Sequence, residues 1–215
     1  MAIKSFRRGS SQGGFDLIEL IVAIAIIVLI TASLLMNYNR FSSGVVLDNL
    51  TSDVALEIRT AQGSALGSRQ IAAGGERGYG VHFELATPGG YVQYVDLPDF
   101  GVPALGDFLF RVGAGCGSPI GLTGVGDTEC VDQRLLMPGY RISNITGVEG
   151  VNNFPTTFLD VTFTRPNPDA EIRGDDGAGV AKNFSSATIT LIAPKGNTRT
   201  IRVTNTGQIS ILSNP

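Results

Sequence analysis

The sequence predicts an α+β protein: a long N-terminal hydrophobic α-helix packed on a C-terminal antiparallel β-sheet head. The first observation is an apolar run, Gly13–Met36, and no charged residue occurs over Leu20–Asn39. Twenty helical residues of that kind cover the hydrocarbon thickness of a bilayer. The second is a switch to period-two alternation beyond residue 74, in a chain with 28 glycines and only 16% charged residues. The soluble part is long enough to bury one core of its own.

The first fourteen residues are basic, with Lys4, Arg7 and Arg8 and no acid. The positive-inside tendency places this end in the cytoplasm and the C-terminal bulk across the membrane. No small-residue cleavage site follows the apolar run, so the Gly13-Gly14-Phe15 step before it is the better candidate. The remaining chain is acidic, which makes it a poor general polyanion binder.

Two carboxylates, Asp16 and Glu19, lie at the N-terminal edge of the apolar run. A charge at the centre of a membrane helix costs about 2.5–3.5 kcal/mol and less near the interface, so the cost here is partial. The two acids are three residues apart, share a helix face and suit the positive end of the helix dipole. A simple single-pass anchor with two interfacial acids is the alternative interpretation.

This N-terminus resembles the class III signal of type IV pilins and pseudopilins: a basic leader, Gly14, then Phe15–Leu20 (FDLIEL) and an apolar tail. The resemblance implies a leader over 1–14, cleaved after Gly14 by a prepilin peptidase that also N-methylates Phe15. It implies a transmembrane and polymerisation helix over 15–39, and a lollipop-shaped subunit. Glu19 takes the position of the family's glutamate, which would pair with the Phe15 amine of a neighbouring subunit. Asp16 departs from the family, which more often has Thr or Ser there.

A second helical pattern predicts an amphipathic continuation of the helix over 40–73. Its apolar stripe follows steps of three and four residues: Leu47, Leu50, Val54, Ile58, Ala61 and Ala65. We expect Asn37–Gly44 to relax the helix at the bilayer surface, and Gly74-Gly75 to end it. Leu56–Gln70 resembles a segment of the H-type and FimT-like minor pseudopilins.

The head over 74–215 is predicted to be rich in β-strands. Alternation predicts a hairpin of Tyr79–Leu85 and Tyr91–Leu97. It also predicts a C-terminal meander of Ala187–Ala193, Arg199–Asn205 and Gln208–Leu212. Three further strands are expected: Asp107–Val112, Tyr140–Ile145 and Phe158–Thr164. Two glycine- and proline-rich segments, 101–126 and 166–182, are predicted to be surface loops.

Catalysis and cofactor binding have little support in the sequence. The chain has one histidine, His82, which excludes a multi-histidine metal site, and no nucleophile motif accompanies it. We therefore expect no enzyme activity and an exposed, structural His82. Four acids are a weak calcium candidate without EF-hand spacing, and a solvated acidic loop is the commoner outcome: Asp169, Glu171, Asp175 and Asp176.

Two further groups are candidate functional residues. Lys195, Arg199 and Arg202 form a small basic group, and some FimT-like pilins bind DNA through such regions, but three cations on an acidic chain favour ordinary exposed strand charges. Cys116 and Cys130 are the only cysteines. Outside the cytoplasm a disulfide is expected, worth about 3 kcal/mol for a loop of roughly fifteen residues; two free thiols are the alternative.

The resemblance implies a structural filament subunit anchored in the bacterial inner membrane with its head outside the cytoplasm. Its partners would be prepilin peptidase, other pilin or pseudopilin subunits and the membrane, with no cofactor and no nucleic acid. Two alternatives stay open. One is a permanently anchored extracytoplasmic binding module, and the other is a tip minor pilin that captures a ligand such as DNA.

Overall fold

The structure is a computed structural model that describes residues 16–67, 78–96, 108–110 and 129–212, with backbone alone for 36–42. These residues form one helix and two antiparallel sheets, so the α+β class is confirmed. The chain divides into two compact units at Ser42/Ser43. The elements are α1 Leu17–Leu66, β1 Gly78–Glu84, β2 Gly90–Asp96, β3 Cys130–Leu135, β4 Arg141–Glu149, β5 Asn152–Pro155, β6 Phe158–Phe163, β7 Ala170–Asp175, β8 Ala181–Asn183, β9 Ser186–Ile192, β10 Thr198–Thr204 and β11 Ile209–Leu212.

Helix α1 begins directly after Asp16, whose carbonyl oxygen accepts the N–H groups of Glu19 and Leu20 at 3.0 and 3.3 Å. Aspartate is a favoured residue at this position. The helix runs through Asn37–Gly44 without a break, contrary to the expected relaxation. No proline occurs there, and a single glycine costs only about 1 kcal/mol.

The helix ends at Leu66 rather than at Gly74-Gly75, which lie outside the described residues. Gly67 forms a turn there, and its N–H donates to the Gly63 carbonyl oxygen at 2.8 Å. The poor helix propensity of these two glycines favours the earlier end. The predicted boundary of the helical segment at residue 73 lies outside the described residues.

The C-terminal part of α1 buries the stripe that the sequence predicts. Five of its six residues are buried and Leu50 is half-buried: Leu47, Val54, Ile58, Ala61 and Ala65. They belong to one apolar core that also contains residues of both sheets, such as Phe83 and Ile189. The helix and two sheets, rather than the single sheet expected, bury one another's apolar faces.

The six-stranded sheet has the order β3-β2-β1-β6-β7-β8, and the five-stranded sheet has the order β11-β10-β9-β4-β5. The predicted hairpin is β1 with β2, and the predicted meander is β9, β10 and β11, each within two residues of the expected bounds. In β1 the alternation sends Val81 and Phe83 to the core, while Gly80 and His82 take the other face. This second face carries the polar residues described below.

Several elements differ from the predictions. The described part of the candidate strand Asp107–Val112, residues 108–110, is not a strand, and Phe108 has φ 59°. The segment 166–182 is not one loop but contains β7 and most of β8. Acids and glycines hide the alternation of β7, and β3, β5 and β8 are edge strands with a weak pattern.

Candidate functional site

The apolar part of α1 is the first candidate site. Leu17–Leu35 is 19 residues long with a mean hydropathy of 2.8, and none of it is buried within the structure. By length and composition it is able to cross a membrane. Asp16 and Glu19 are both exposed at its N-terminal end, Asp16 before the first turn and Glu19 within it. Gly14 and Phe15 lie outside the described residues.

The basic group near the C-terminal turn does not form one patch. Arg199 and Arg202 lie on opposite faces of β10, because they are three residues apart in a strand. The Arg199 Nη2 atom lies 3.4 Å from Asp48 Oδ2, and its Nε also donates to this carboxylate. Arg199 therefore joins β10 to α1. Arg59 of α1 contacts β11 instead, because it donates to the Ile209 carbonyl oxygen at 3.3 Å.

The four acids of the calcium candidate do not converge. Asp175 is buried and accepts from the N–H and hydroxyl of Thr157 at 2.6 and 3.0 Å. Asp176 is half-buried and accepts the backbone N–H groups of Val180 and Ala178, which lower the pKa of its carboxyl. Asp169 and Glu171 are exposed. Within the described ranges, no three His, Cys, Asp or Glu side chains are grouped as metal ligands would be.

Cys130 begins β3, is buried and is disulfide-bonded. Cys116 lies outside the described residues. The Cys116–Cys130 pairing therefore stays a prediction.

The second candidate site is a group of buried polar residues on the outer face of the six-stranded sheet. His82 is not the exposed residue that the sequence predicted: its side chain is 12% exposed, and its Nδ1 atom donates to Asp160 Oδ1 at 2.7 Å. The Asp160 side chain is 1% exposed. The two residues are register partners in β1 and β6, which places their side chains on the same face.

Residues 108–110 lie against this face through two carboxylates. The Phe108 N–H donates to Asp96 Oδ2 at 3.2 Å, and the Phe110 N–H donates to Asp160 Oδ2 at 3.3 Å. The Phe110 ring lies 4.8 Å from the His82 ring. Backbone N–H groups and carboxylates form charge-assisted hydrogen bonds, which are roughly twice as strong as neutral ones.

Tyr94 lies across β1 to reach β6. Its hydroxyl shares a hydrogen bond of 2.6 Å with Thr162, and both residues are register partners of Gly80. Burial raises the pKa of the Tyr94 phenol well above its usual value, and the charge of Asp160 raises it further. A glycine between them leaves room for the ring to cross.

Sequence reasoning missed Asp96, Asp160 and Thr162. A signal for them exists: in Leu159–Phe163 the polar residues alternate with large apolar ones, which identifies one face of a strand but not whether that face is covered. The burial comes from residues far away in the chain. A site of this kind is therefore visible only once the strands are paired.

A groove of about 320 Å³ lies between α1 and β3. Tyr91, Asp53, Glu57, Leu56 and Leu135 are among its lining residues. Burial raises the pKa of Tyr91 to about 12, and the charge of Glu57 contributes in the same direction.

Comparisons with family models, curated proteins and solved structures found no match to this chain.

Proposed function

We propose that this chain is a structural subunit of a type IV pilus-like or type II secretion pseudopilus filament, assembled through α1 after processing at Gly14/Phe15. One observation carries the proposal. The apolar part of α1 is unburied, and it continues in the same helix into a segment whose stripe is buried in the antiparallel head. The head already buries the apolar stripe of the C-terminal half of α1. The N-terminal half still needs an apolar environment from outside the subunit.

The exposed apolar surface is too large to remain in water. Nineteen consecutive residues without burial suit either lipid or a packed array of identical helices. A filament core supplies the second environment when a subunit leaves the membrane. The same residues would therefore serve as anchor in the precursor and as packing surface in the filament.

Glu19 supports the filament over a simple anchor. A carboxylate at the edge of an apolar helix is costly unless it gains a partner, and an amine from the next subunit would be a specific one. An ion pair at this position would set the axial register between subunits.

The proposed location is the bacterial inner membrane, with one pass and the head on the extracytoplasmic side. The basic residues Lys4, Arg7 and Arg8 before the apolar run support this orientation. A disulfide-bonded Cys130 suits an oxidising compartment. Proposed partners are prepilin peptidase and other pilin-like subunits.

The N-terminus of the mature protein tests processing directly. The full chain is expressed with and without a prepilin peptidase, and the N-terminal peptide is analysed by mass spectrometry. We expect N-methylated Phe15 only when the peptidase is present, and an intact leader in a Gly14→Val variant. An intact Met1 in the wild-type protein with an active peptidase would contradict the proposal and favour the anchored binding module.

DNA capture at a tip is the weaker alternative. Arg199 is engaged with Asp48 and lies on the opposite face of β10 from Arg202, so the two do not form one phosphate-binding surface. A gel shift at low salt measures this directly. Strong retardation that disappears in an Arg202→Ala variant would favour the DNA-binding alternative.

A further inference from the structure

We propose that the groove between α1 and β3 binds the outward face of the five-stranded sheet of a second copy of this chain. The groove has an acidic rim and exposed apolar side chains, whereas the outward face of β4, β9, β10 and β11 carries arginines. The choice of a second copy as the occupant rests on the proposed filament. The complementary charges of the two surfaces are an observation separate from the apolar helix.

The groove combines exposed apolar side chains with acids. Leu56 of α1 and Leu135 of β3 line it and are 58% and 78% exposed. Asp53 and Glu57 also line it from α1, the first exposed and the second half-buried. Covering the two leucines would remove apolar surface from water, which favours an occupant that has an apolar side chain of its own.

The charges around the groove are predominantly negative. Among the described lining residues the one cation is Arg134, and its Nε atom lies 2.9 Å from Asp132 Oδ2. Burial raises the pKa of the Tyr91 phenol to about 12, and the charge of Glu57 raises it further. Asp53 contributes in the same direction. The groove therefore favours an occupant with a cation beside its apolar side chain.

The outward face of the five-stranded sheet has the opposite charge. Arg141 and Arg202 are both exposed on it, while Arg199 points to α1 on the other side. Within the described residues of these five strands the one carboxylate is Glu149, which lies 3.2 Å from the Lys182 Nζ atom. This basic face belongs to a chain whose net charge is −3, so its lack of free acids is a local feature.

Arg202 lies beside an exposed apolar residue on the basic face. It alternates with the core residues Ile201 and Val203, which directs its side chain outward. Its register partner in β11 is Ser210, and Leu212 follows two residues later on the same face, 40% exposed. Diagonal neighbours of this kind are about 7–8 Å apart. The basic face thus presents the cation and the apolar side chain that the groove favours.

The groove and the basic face are different surfaces of one chain. Each copy can therefore offer its basic face to one neighbour and its groove to another. A contact of this kind is heterologous, and it extends into an open helical array unless the rotation between copies closes a ring. A filament requires such an array, whereas a two-fold dimer would use the same surface on both copies.

Photo-crosslinking of the full chain in phosphatidylcholine vesicles tests the contact. Benzoylphenylalanine replaces Leu135 in the groove, and Val151, which is 94% exposed in the turn after β4, is the matched control position. Isotope-labelled and unlabelled chains are mixed, so that mass spectrometry distinguishes crosslinks between copies from those within one copy. We expect crosslinks between copies from position 135 to peptides of β10 and β11, and none to these peptides from position 151.

Charge reversal tests whether the two surfaces are complementary. Asp53→Lys and Arg202→Glu should each lower the yield of these crosslinks about fivefold, and the double variant should recover to within about twofold of the wild-type yield. Asp169→Lys makes the same change at an exposed acid that does not line the groove, and it should leave the yield unchanged.

Several results would overturn the proposal. These are an absence of crosslinks between copies to β10 and β11, an equal loss in Asp53→Lys and Asp169→Lys, or a double variant as low as the single ones. DNA retardation that is lost in Arg202→Glu, without crosslinks between copies, would also overturn it and would assign the basic face to DNA.

The outcome is distinguishable from a failure of the proposed function, because the vesicle experiment uses the unprocessed chain. N-methylated Phe15 without these crosslinks would overturn the groove contact alone. The crosslinks together with an intact leader in the presence of active peptidase would support the contact and overturn the pilin-like function.

Discussion

The replacement Gly80→Ala tests how closely Tyr94 crosses β1. A Cβ atom at Gly80 would lie 2.5 Å from the Tyr94 Cζ atom, 2.6 Å from Cε1 and 2.7 Å from the hydroxyl oxygen. Carbon atoms prefer about 3.5–4.0 Å, so the overlap is about 1 Å. The Tyr94 ring is fully buried and hydrogen-bonded to Thr162, so a shift of the ring would disturb its packing and this hydrogen bond.

Overpacking of this kind costs about 1–3 kcal/mol. For a chain of this size each kcal/mol lowers the melting temperature by about 2–4 °C, so we expect Gly80→Ala to melt about 2–12 °C below the wild-type protein. Circular dichroism of the full chain in detergent measures the change. Gly89→Ala is the matched control, because a Cβ there meets nothing within 4 Å.

Making Gly80→Ala in a Tyr94→Leu protein tests whether the overlap with the Tyr94 ring causes the loss of stability. Removing the ring should reduce the cost of Gly80→Ala, and the difference is the coupling free energy between the two positions. The reasoning would be refuted by a Gly80→Ala protein as stable as Gly89→Ala, or by an equal loss in both backgrounds.

Four further predictions concern the helix and the groove. Gly63→Ala should raise the free energy of unfolding by about 0.5–1 kcal/mol, since Gly63 is exposed in α1 with open space at its Cβ; an unchanged melting temperature would contradict this. The pKa of Tyr91 is about 12, so the folded state binds more protons than the unfolded state between about pH 10 and pH 12, and stability should fall as pH rises through that window. Glu57→Gln should lower the Tyr91 titration midpoint in near-ultraviolet absorbance; an unmoved midpoint would exclude the Glu57 charge as a cause. Glu19→Ala should insert into membranes normally but be depleted from sheared filaments, with Asp16→Asn less affected; normal incorporation of Glu19→Ala would argue against the ion pair.

Local patterns were sufficient for much of the fold. The apolar stripe from Leu47 to Ala65 and the alternation in β1, β2 and β9–β11 each identify an element, because helix and strand periods differ. The prediction that 166–182 is one surface loop was wrong, because this segment contains β7. In β7, Glu171 and Arg173 alternate with buried residues, but glycines and acids nearby suggest a loop.

Some candidate sites can likewise be predicted from local sequence, whereas others depend on the tertiary structure. The apolar N-terminal helix with Glu19 is evident from the sequence, because the length of an apolar run is enough to show that it can span a membrane. The calcium candidate rests on proximity in the chain, and the structure does not bring its four carboxylates together: Asp175 binds Thr157, 18 residues away, while Asp176 binds its own loop.

Sequence alone determined the apolar helix, its continuation as an amphipathic stripe and a head built of antiparallel strands, since each follows from a local period and length. Tertiary structure decided that His82 is paired, that Asp96 and Asp160 are buried, and that Arg199 joins β10 to α1. These facts depend on strand order and register, which bring together residues 78 to 151 positions apart. Which face of a strand is covered, and by what, is a property of the pairing and not of the strand.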